Sequence, residues 1–141
     1  MKKDFIEELK WRGMLHDMIP GTEEYLRSKK TIGYIGFDPT SDSLHIGSLV
    51  PIFILKHFQN HGHTPIVLLG GATGMIGDPS GKSDERNLLD KKVLDYNEKK
   101  LTKQFEKFLD FKSNKLNKAI LVNNYNWMKK FSIIENFFIQ L

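Results

Sequence analysis

Apolar positions recur along this chain with two periods, and the switches between them mark out its elements. Asp4–Trp11 and Thr22–Ser28 read as two short helices separated by the turn Ile19-Pro20-Gly21. Thr31 to Phe37 alternates and is rich in β-formers, which predicts a strand. Asp38 to Ser43 is a polar loop. A helix is predicted from about Ile46 to Asn60, with Ile46, Leu49, Val50 and Phe53 on one stripe. Ile52, Ile54 and Leu55 make that helix apolar nearly all round, so it is expected to be buried on more than one side.

Ile66 to Leu69 is a continuous apolar run bounded by Gly70-Gly71, the pattern of a central parallel strand covered on both faces. A glycine-rich loop from Gly70 to Ser83 leads to a polar helix over roughly Asp84 to Leu109. Leu101, Phe105, Phe108 and Leu109 form its apolar face. Ala119 to Val122 is a third short strand. A last helix opens on a capping box, Ser132 and Glu135, and carries Ile133, Ile134, Phe137, Phe138 and Leu141 on one stripe. Strands alternating with helices predict an α/β fold, a Rossmann-like parallel sheet with flanking helices and right-handed crossovers. An apolar stripe running to Leu141 raises the expectation that the chain is part of a larger unit.

Composition narrows the function classes. The chain has 141 residues, 40% of them apolar, enough for a core. Lys and Arg number 21 against 17 acids, a net charge of +4. That excess tolerates an anionic partner such as ATP or RNA without demanding nucleic acid. Absence of cysteine excludes disulfides and thiolate metal sites. Acids interrupt any signal core near the N-terminus, and the longest apolar run, Leu49 to Leu55, is too short to cross a bilayer. The expectation is a soluble, cytoplasmic protein with no membrane partner.

Two segments carry candidate chemistry. The first, Gly36 to Ser48, lies where a strand hands over to a helix, the place where ligands gather in open α/β sheets. Gly36 permits close backbone approach, Thr40 and His45 supply donors, and a helix beginning near Gly47 would add free N–H groups. Such convergence suits a phosphate. Taken alone, these residues equally allow an Asp-Pro-Thr turn and a histidine that caps a buried helix. The second segment, Gly70 to Arg86, is neither a P-loop nor a dinucleotide fingerprint. Gly77 and Gly81 are too close together for the former, and Gly71, Gly74 and Gly77 are evenly spaced where the latter is not. It holds Asp78 followed by Lys82 and Arg86, which could also be solvated cations on a surface loop. His57, His61 and His63 could suggest a metal, but no Glu follows His57 and Lys56 adjoins it. An exposed helix end with histidines complementing the dipole is the better reading. Lys112, Lys115 and Lys118 read as a solvated loop rather than an RNA contact.

The run Gly36-Phe37-Asp38-Pro39-Thr40-Ser41-Asp42-Ser43-Leu44-His45-Ile46-Gly47 resembles the segment of bacterial tyrosyl-tRNA synthetases that ends in the class I His-Ile-Gly-His motif. Gly70 to Lys82 is similar to the same family's Gly-Asp-Pro-Ser-Gly-Lys segment. So are Trp11-Arg12-Gly13, Phe108 to Phe111 and Asn123 to Trp127 to their counterparts. The resemblance implies that Thr40 and His45 bind ATP phosphates and stabilise the transition state, with Asp38 close to the nucleotide and Gly36 and Gly47 in the ATP site. Ser48 stands where the motif has its second histidine, and one hydroxyl hydrogen bond near the ribose remains possible there. Lys82 and Arg86 match cations near the leaving pyrophosphate. Asp78 matches the residue that binds the substrate α-ammonium, Thr73 borders the amino-acid pocket, and Tyr34 meets the substrate phenol. From its type and place alone, Tyr34 reads as a core aromatic with a satisfied hydroxyl.

The implied reaction is attack of the tyrosine carboxylate on the α-phosphorus of ATP, with Mg2+ accompanying ATP as co-substrate and no protein-bound metal. Transfer to tRNA(Tyr) follows, in a homodimer. On this resemblance residues 1–141 are the N-terminal part of the catalytic domain, with its second half and the anticodon-binding region absent. The 141-residue chain alone is then expected to adenylate tyrosine negligibly. A stand-alone nucleotide-binding module and a partial gene product are the alternatives. The synthetase reading of the site requires Thr40 and His45 to share one rim of the sheet with Asp78 and Lys82.

Overall fold

A computed structural model describes residues 4–76 and 91–131. The sequence assignments to Asp78, Lys82, Arg86 and the terminal helix after Phe131 lie outside the described residues.

The chain opens with a helix pair, α1 (Phe5–Trp11) and α2 (Thr22–Ser28). Asp4 caps α1 through a reciprocal box, accepting the Glu7 amide at 2.8 Å while the Glu7 carboxylate accepts the Asp4 amide at 3.2 Å. Arg27 on α2 pairs with Asp4, Glu7 and Glu23, which orients the two helices at their exposed seam. Below that seam Phe5, Ile6 and Leu9 bury themselves against Phe58.

Three parallel strands follow, β1 (Ile32–Phe37), β2 (Thr64–Leu69) and β3 (Ile120–Asn123), with β2 central in the order β1-β2-β3. The register pairs Tyr34 with Ile66 and Ile66 with Ile120. The β1–β2 crossover is α3 (Leu49–Asn60), entered through a 3₁₀ turn at Ile46–Ser48. Between β2 and β3 lie α4 (Gly71–Ile76) and α5 (Lys91–Phe105), and α6 (Tyr125–Met128) follows β3. One face of the sheet takes the core: Phe37, Val67 and Leu69 meet Ile52 and Leu55 of α3, Leu101 and Phe105 of α5, and Leu109. Ile52 and Phe105 are fully buried. Each contributes about 1.5–3 kcal/mol relative to exposure.

Several expectations change here. On α3 the buried line is Ile52, Leu55, Phe58 and Gln59, whereas Ile46, Val50 and Phe53, from the stripe named in the sequence, are exposed. Both lines are apolar, and the sheet selects the one whose side chains reach it. β2 is covered on one face only: Val67 and Leu69 are buried, while Ile66 and Leu68 are half-buried beside exposed Ile32 and Tyr34. No helix among the described residues covers that second face. The segment after β2 is not loop throughout, since Gly71–Ile76 is helical. β3 lies one residue later than the apolar run suggests: its pairing begins at Ile120, opposite Ile66, and the Ala119 amide is taken by the Asp110 carbonyl at 2.7 Å.

His63 is not at an exposed helix end. It is 2% exposed, stacked on Phe58 with ring centroids 4.5 Å apart and edge-on to Phe5. Its Nδ1 accepts the Thr31 amide at 3.2 Å. Among the described residues no group of acids and histidines is arranged to hold a metal ion, and no helix is long and apolar enough to cross a membrane.

Candidate active site

Because β1 and β2 are parallel, the loops that leave their C-terminal ends emerge on the same rim. After Phe37 the chain runs through Asp38 and Pro39 to the 3₁₀ turn, and after Leu69 it turns at Gly70 into α4. A cleft of about 430 Å³ opens on that rim, lined by Gly36, Asp38, Thr40, His45, Gly47 and Ser48 and floored by Pro51 and Leu101. These six are all the residues assigned from sequence to ATP. No lysine or arginine among the described residues lines the cleft.

His45 is set by its own chain. Its Nδ1 accepts the Gly47 amide at 3.1 Å, and its carbonyl accepts the Ser48 amide at 2.9 Å. An imidazole nitrogen that accepts carries no proton, so the neutral ring holds its proton on Nε2 and offers that N–H as a donor. Gly47 is required for this arrangement: a Cβ there would lie 2.9 Å from the His45 ring. The same bond corrects one expectation. The Gly47 amide is not a free helix-terminal donor, since the imidazole engages it and the α-helix proper begins at Leu49. Pro51 does sit in the first turn of α3, where a missing N–H costs no intrahelical bond.

The two rim segments are joined by side chains. Thr73 Oγ1 lies 2.8 Å from Asp38 Oδ1 and 3.2 Å from the Gly70 carbonyl, so its single proton serves both acceptors. Asn124, 8% exposed, accepts the Ala72 amide at 2.7 Å and points its amide nitrogen at Thr73 Oγ1, 3.4 Å away. A glycine is needed at position 70, where a Cβ would collide with both Asp38 Oδ1 and Thr73 Oγ1. Tyr34 lies outside the cleft lining. It is 69% exposed on the bare face of the sheet, two residues before Gly36 on the same side of β1, so the expectation of a core aromatic from residue type alone is not met.

Thus the structure gathers Gly36, Asp38, Thr40, His45, Gly47 and Ser48, ties Thr73 to them through Asp38, and leaves Tyr34 on the adjoining face. Reading the sequence missed three amides beside the site: the buried Asn97 and Asn124 and the half-buried Gln104. For Asn97 and Gln104 the available signal was position, since both interrupt the apolar face of α5 on either side of Leu101.

Comparison with known proteins bears on the same segments. The sequence profile of the family described as tRNA synthetases class I (W and Y) matches residues 26–139. The tyrosine–tRNA ligase of Bacteroides fragilis is 60% identical over 132 residues, and that of Flavobacterium psychrophilum 62% identical over 133. Each alignment covers 94% of this chain, which spans only 31% of the length of either relative. Among solved structures, a C-terminally truncated mitochondrial tyrosyl-tRNA synthetase from Aspergillus nidulans superposes with a TM-score of 0.75 at 30% identity. It covers 95% of this chain and 41% of its own. By profile, by sequence and by fold, the chain belongs to the class I tRNA synthetases of the tryptophan and tyrosine (W and Y) family.

Proposed function

We propose that the protein of which these residues form part activates tyrosine with ATP, and that the rim cleft holds the triphosphate. The observation that carries this reading is the convergence of Gly36, Asp38, Thr40, His45, Gly47 and Ser48 on one cleft. In the proposed reaction the tyrosine carboxylate attacks the α-phosphorus, the bond to the bridging oxygen breaks, and pyrophosphate leaves with its electron pair. The substrate supplies the nucleophile, so the chain needs no catalytic base. Its work is positioning and the placement of donors where charge grows. Thr40 Oγ and His45 Nε2 are the donors, the latter fixed by the Gly47 bond. Lys82 and Arg86 neutralise the departing pyrophosphate. Asp78 takes the α-ammonium, Thr73 borders the amino acid, and Tyr34 meets the phenol. Ser48 offers one hydrogen bond to the ribose.

The same reading carries Mg2+ bound to ATP as co-substrate, tRNA(Tyr) as acyl acceptor, a homodimeric whole protein and a cytoplasmic location. It is supported by the names of the relatives, which are tyrosine–tRNA ligases. Calorimetric titration of the 141-residue chain with Mg-ATP and with tyrosine tests it. Both ligands are expected to bind, with Thr40→Ala and His45→Ala each weakening ATP by about 10–100-fold, the range for hydrogen bonds to a charged acceptor. ATP binding with no preference for tyrosine over phenylalanine would favour a bare nucleotide-binding module, and binding of neither ligand would overturn the proposal.

A further inference from the structure

The loop that carries Thr40 and His45 is itself largely exposed, and the groups that hold it come from α5. Asn97, 4% exposed, donates through Nδ2 to the Pro39 carbonyl at 3.0 Å. Two turns further on, Gln104 accepts the Leu44 amide at Oε1, 3.1 Å, and donates through Nε2 to the Asp42 carbonyl at 3.2 Å. Asn97, Leu101 and Gln104 follow one another at i, i+4 and i+7, so one helical face presents two amides with an apolar residue between them. Leu101 forms the cleft floor, and Leu44 packs against the core beside it.

The points of attachment are informative. Asn97 fixes the residue immediately before Thr40, and Gln104 fixes the residue immediately before His45. The two donors proposed for the triphosphate are thereby spaced by side chains that touch neither the cleft nor one another. A primary amide suits the task, because Gln104 needs an acceptor and a donor at once to satisfy an N–H and a C=O of the same loop.

We infer that Asn97 and Gln104 are positioning residues for the triphosphate cleft, setting the separation of the Thr40 hydroxyl and the His45 imidazole through the loop backbone. This rests on the ATP reading of the cleft given above. A purely structural role would lower stability and weaken all ligands together, whereas a positioning role acts on ATP selectively. On the same reading Tyr34 and Thr73 meet tyrosine, and the two amides bond to Pro39, Asp42 and Leu44 rather than to either of them.

Gln104→Met keeps the side-chain length and removes both polar atoms, while Gln104→Glu retains the acceptor for the Leu44 amide and loses the donor. In the 141-residue chain, Gln104→Met is expected to weaken Mg-ATP by about tenfold, with Gln104→Glu intermediate and tyrosine affinity within about twofold of the parent. Asn97→Leu is expected to act in the same sense. Hydrogen exchange at the Leu44 amide, read without ligand, should accelerate in Gln104→Met while the Val67 amide in the core does not change. Unaltered ATP affinity, equal losses for ATP and tyrosine, or an unchanged Leu44 exchange rate would each overturn the inference. If the parent chain binds no ATP, the cleft assignment itself fails, and the Leu44 exchange still reports whether Gln104 holds the loop.

Discussion

Thr73 on α4 donates a hydrogen bond to Asp38 at the end of β1, across 2.8 Å, and so links the two rim segments that the sequence separates by 35 residues. Replacing the hydroxyl by a methyl, in Thr73→Val, leaves the shape intact and frees the carboxylate. A loss of about 1 kcal/mol in stability is expected, the net worth of one such bond. Thr73→Ser, which keeps the donor, should recover most of it. Urea denaturation of the three proteins measures both.

Two glycines on the rim are expected to respond differently to a methyl group. At Gly70 a methyl group meets the Asp38 and Thr73 oxygens, so Gly70→Ala should destabilise the chain by about 1–3 kcal/mol. At Gly36 nothing lies within 4 Å of a built Cβ, and Gly36→Ala should leave the melting temperature nearly unchanged. Because Gly36 lines the cleft, the same substitution should still lower ATP affinity. Thermal melts paired with titration separate the two effects, and an intact ATP affinity in Gly36→Ala would argue against close ligand approach at that backbone.

His63 makes stability depend on pH. Burial pushes its imidazole below the usual histidine range, and the charges of Lys30 and His61 push it the same way. The folded state therefore resists protonation that the unfolded chain accepts. The corresponding stability is present above the unfolded value, near 6.5, and is lost as pH falls through the depressed folded value. Protonation of Nδ1 would also break the bond from the Thr31 amide. In His63→Asn the side-chain oxygen can still accept that amide, so the variant should be less stable overall but show a flatter slope between about pH 7 and 5. His57, whose pKa burial also lowers, should leave some slope behind.

The face that α3 presents to the sheet can be read from two neighbouring substitutions. Ile52→Ala opens a cavity at a fully buried position and should cost about 2–5 kcal/mol. Phe53→Ala, next in sequence and 41% exposed, removes a larger side chain and should cost only about 1 kcal/mol. Equal losses would contradict the packing described.

Much of the scaffold was legible because periodicity reports burial directly. The two opening helices, β1, the end of α3 and β2 all fall within a residue or two of the pattern. The facing of α3 was not legible, since apolar residues occupy both Ile46-Val50-Phe53 and Ile52-Leu55, and only the sheet's position distinguishes them. The helix at Gly71–Ile76 was hidden because glycine is a poor helix former and its start depends on Asn124, about fifty residues away. For the site, sequence similarity named the residues of the cleft, but their support was invisible. Asn97 and Gln104 act through bonds spanning 58 to 62 residues, and no local pattern encodes such partners.

The parallel arrangement also shapes how the chain reaches its fold. Paired residues lie 32 apart between β1 and β2 and 54 apart between β2 and β3, and every strand contact waits on a closed loop. The entropic difference between two loops of those lengths is only about 0.5 kcal/mol. Chain length therefore hardly decides which pair assembles first. The decision falls to the crossover segments, and the continuous apolar helix between β1 and β2 favours that hairpin-free pair as the nucleus on which the third strand condenses, with slow, non-local kinetics as the consequence.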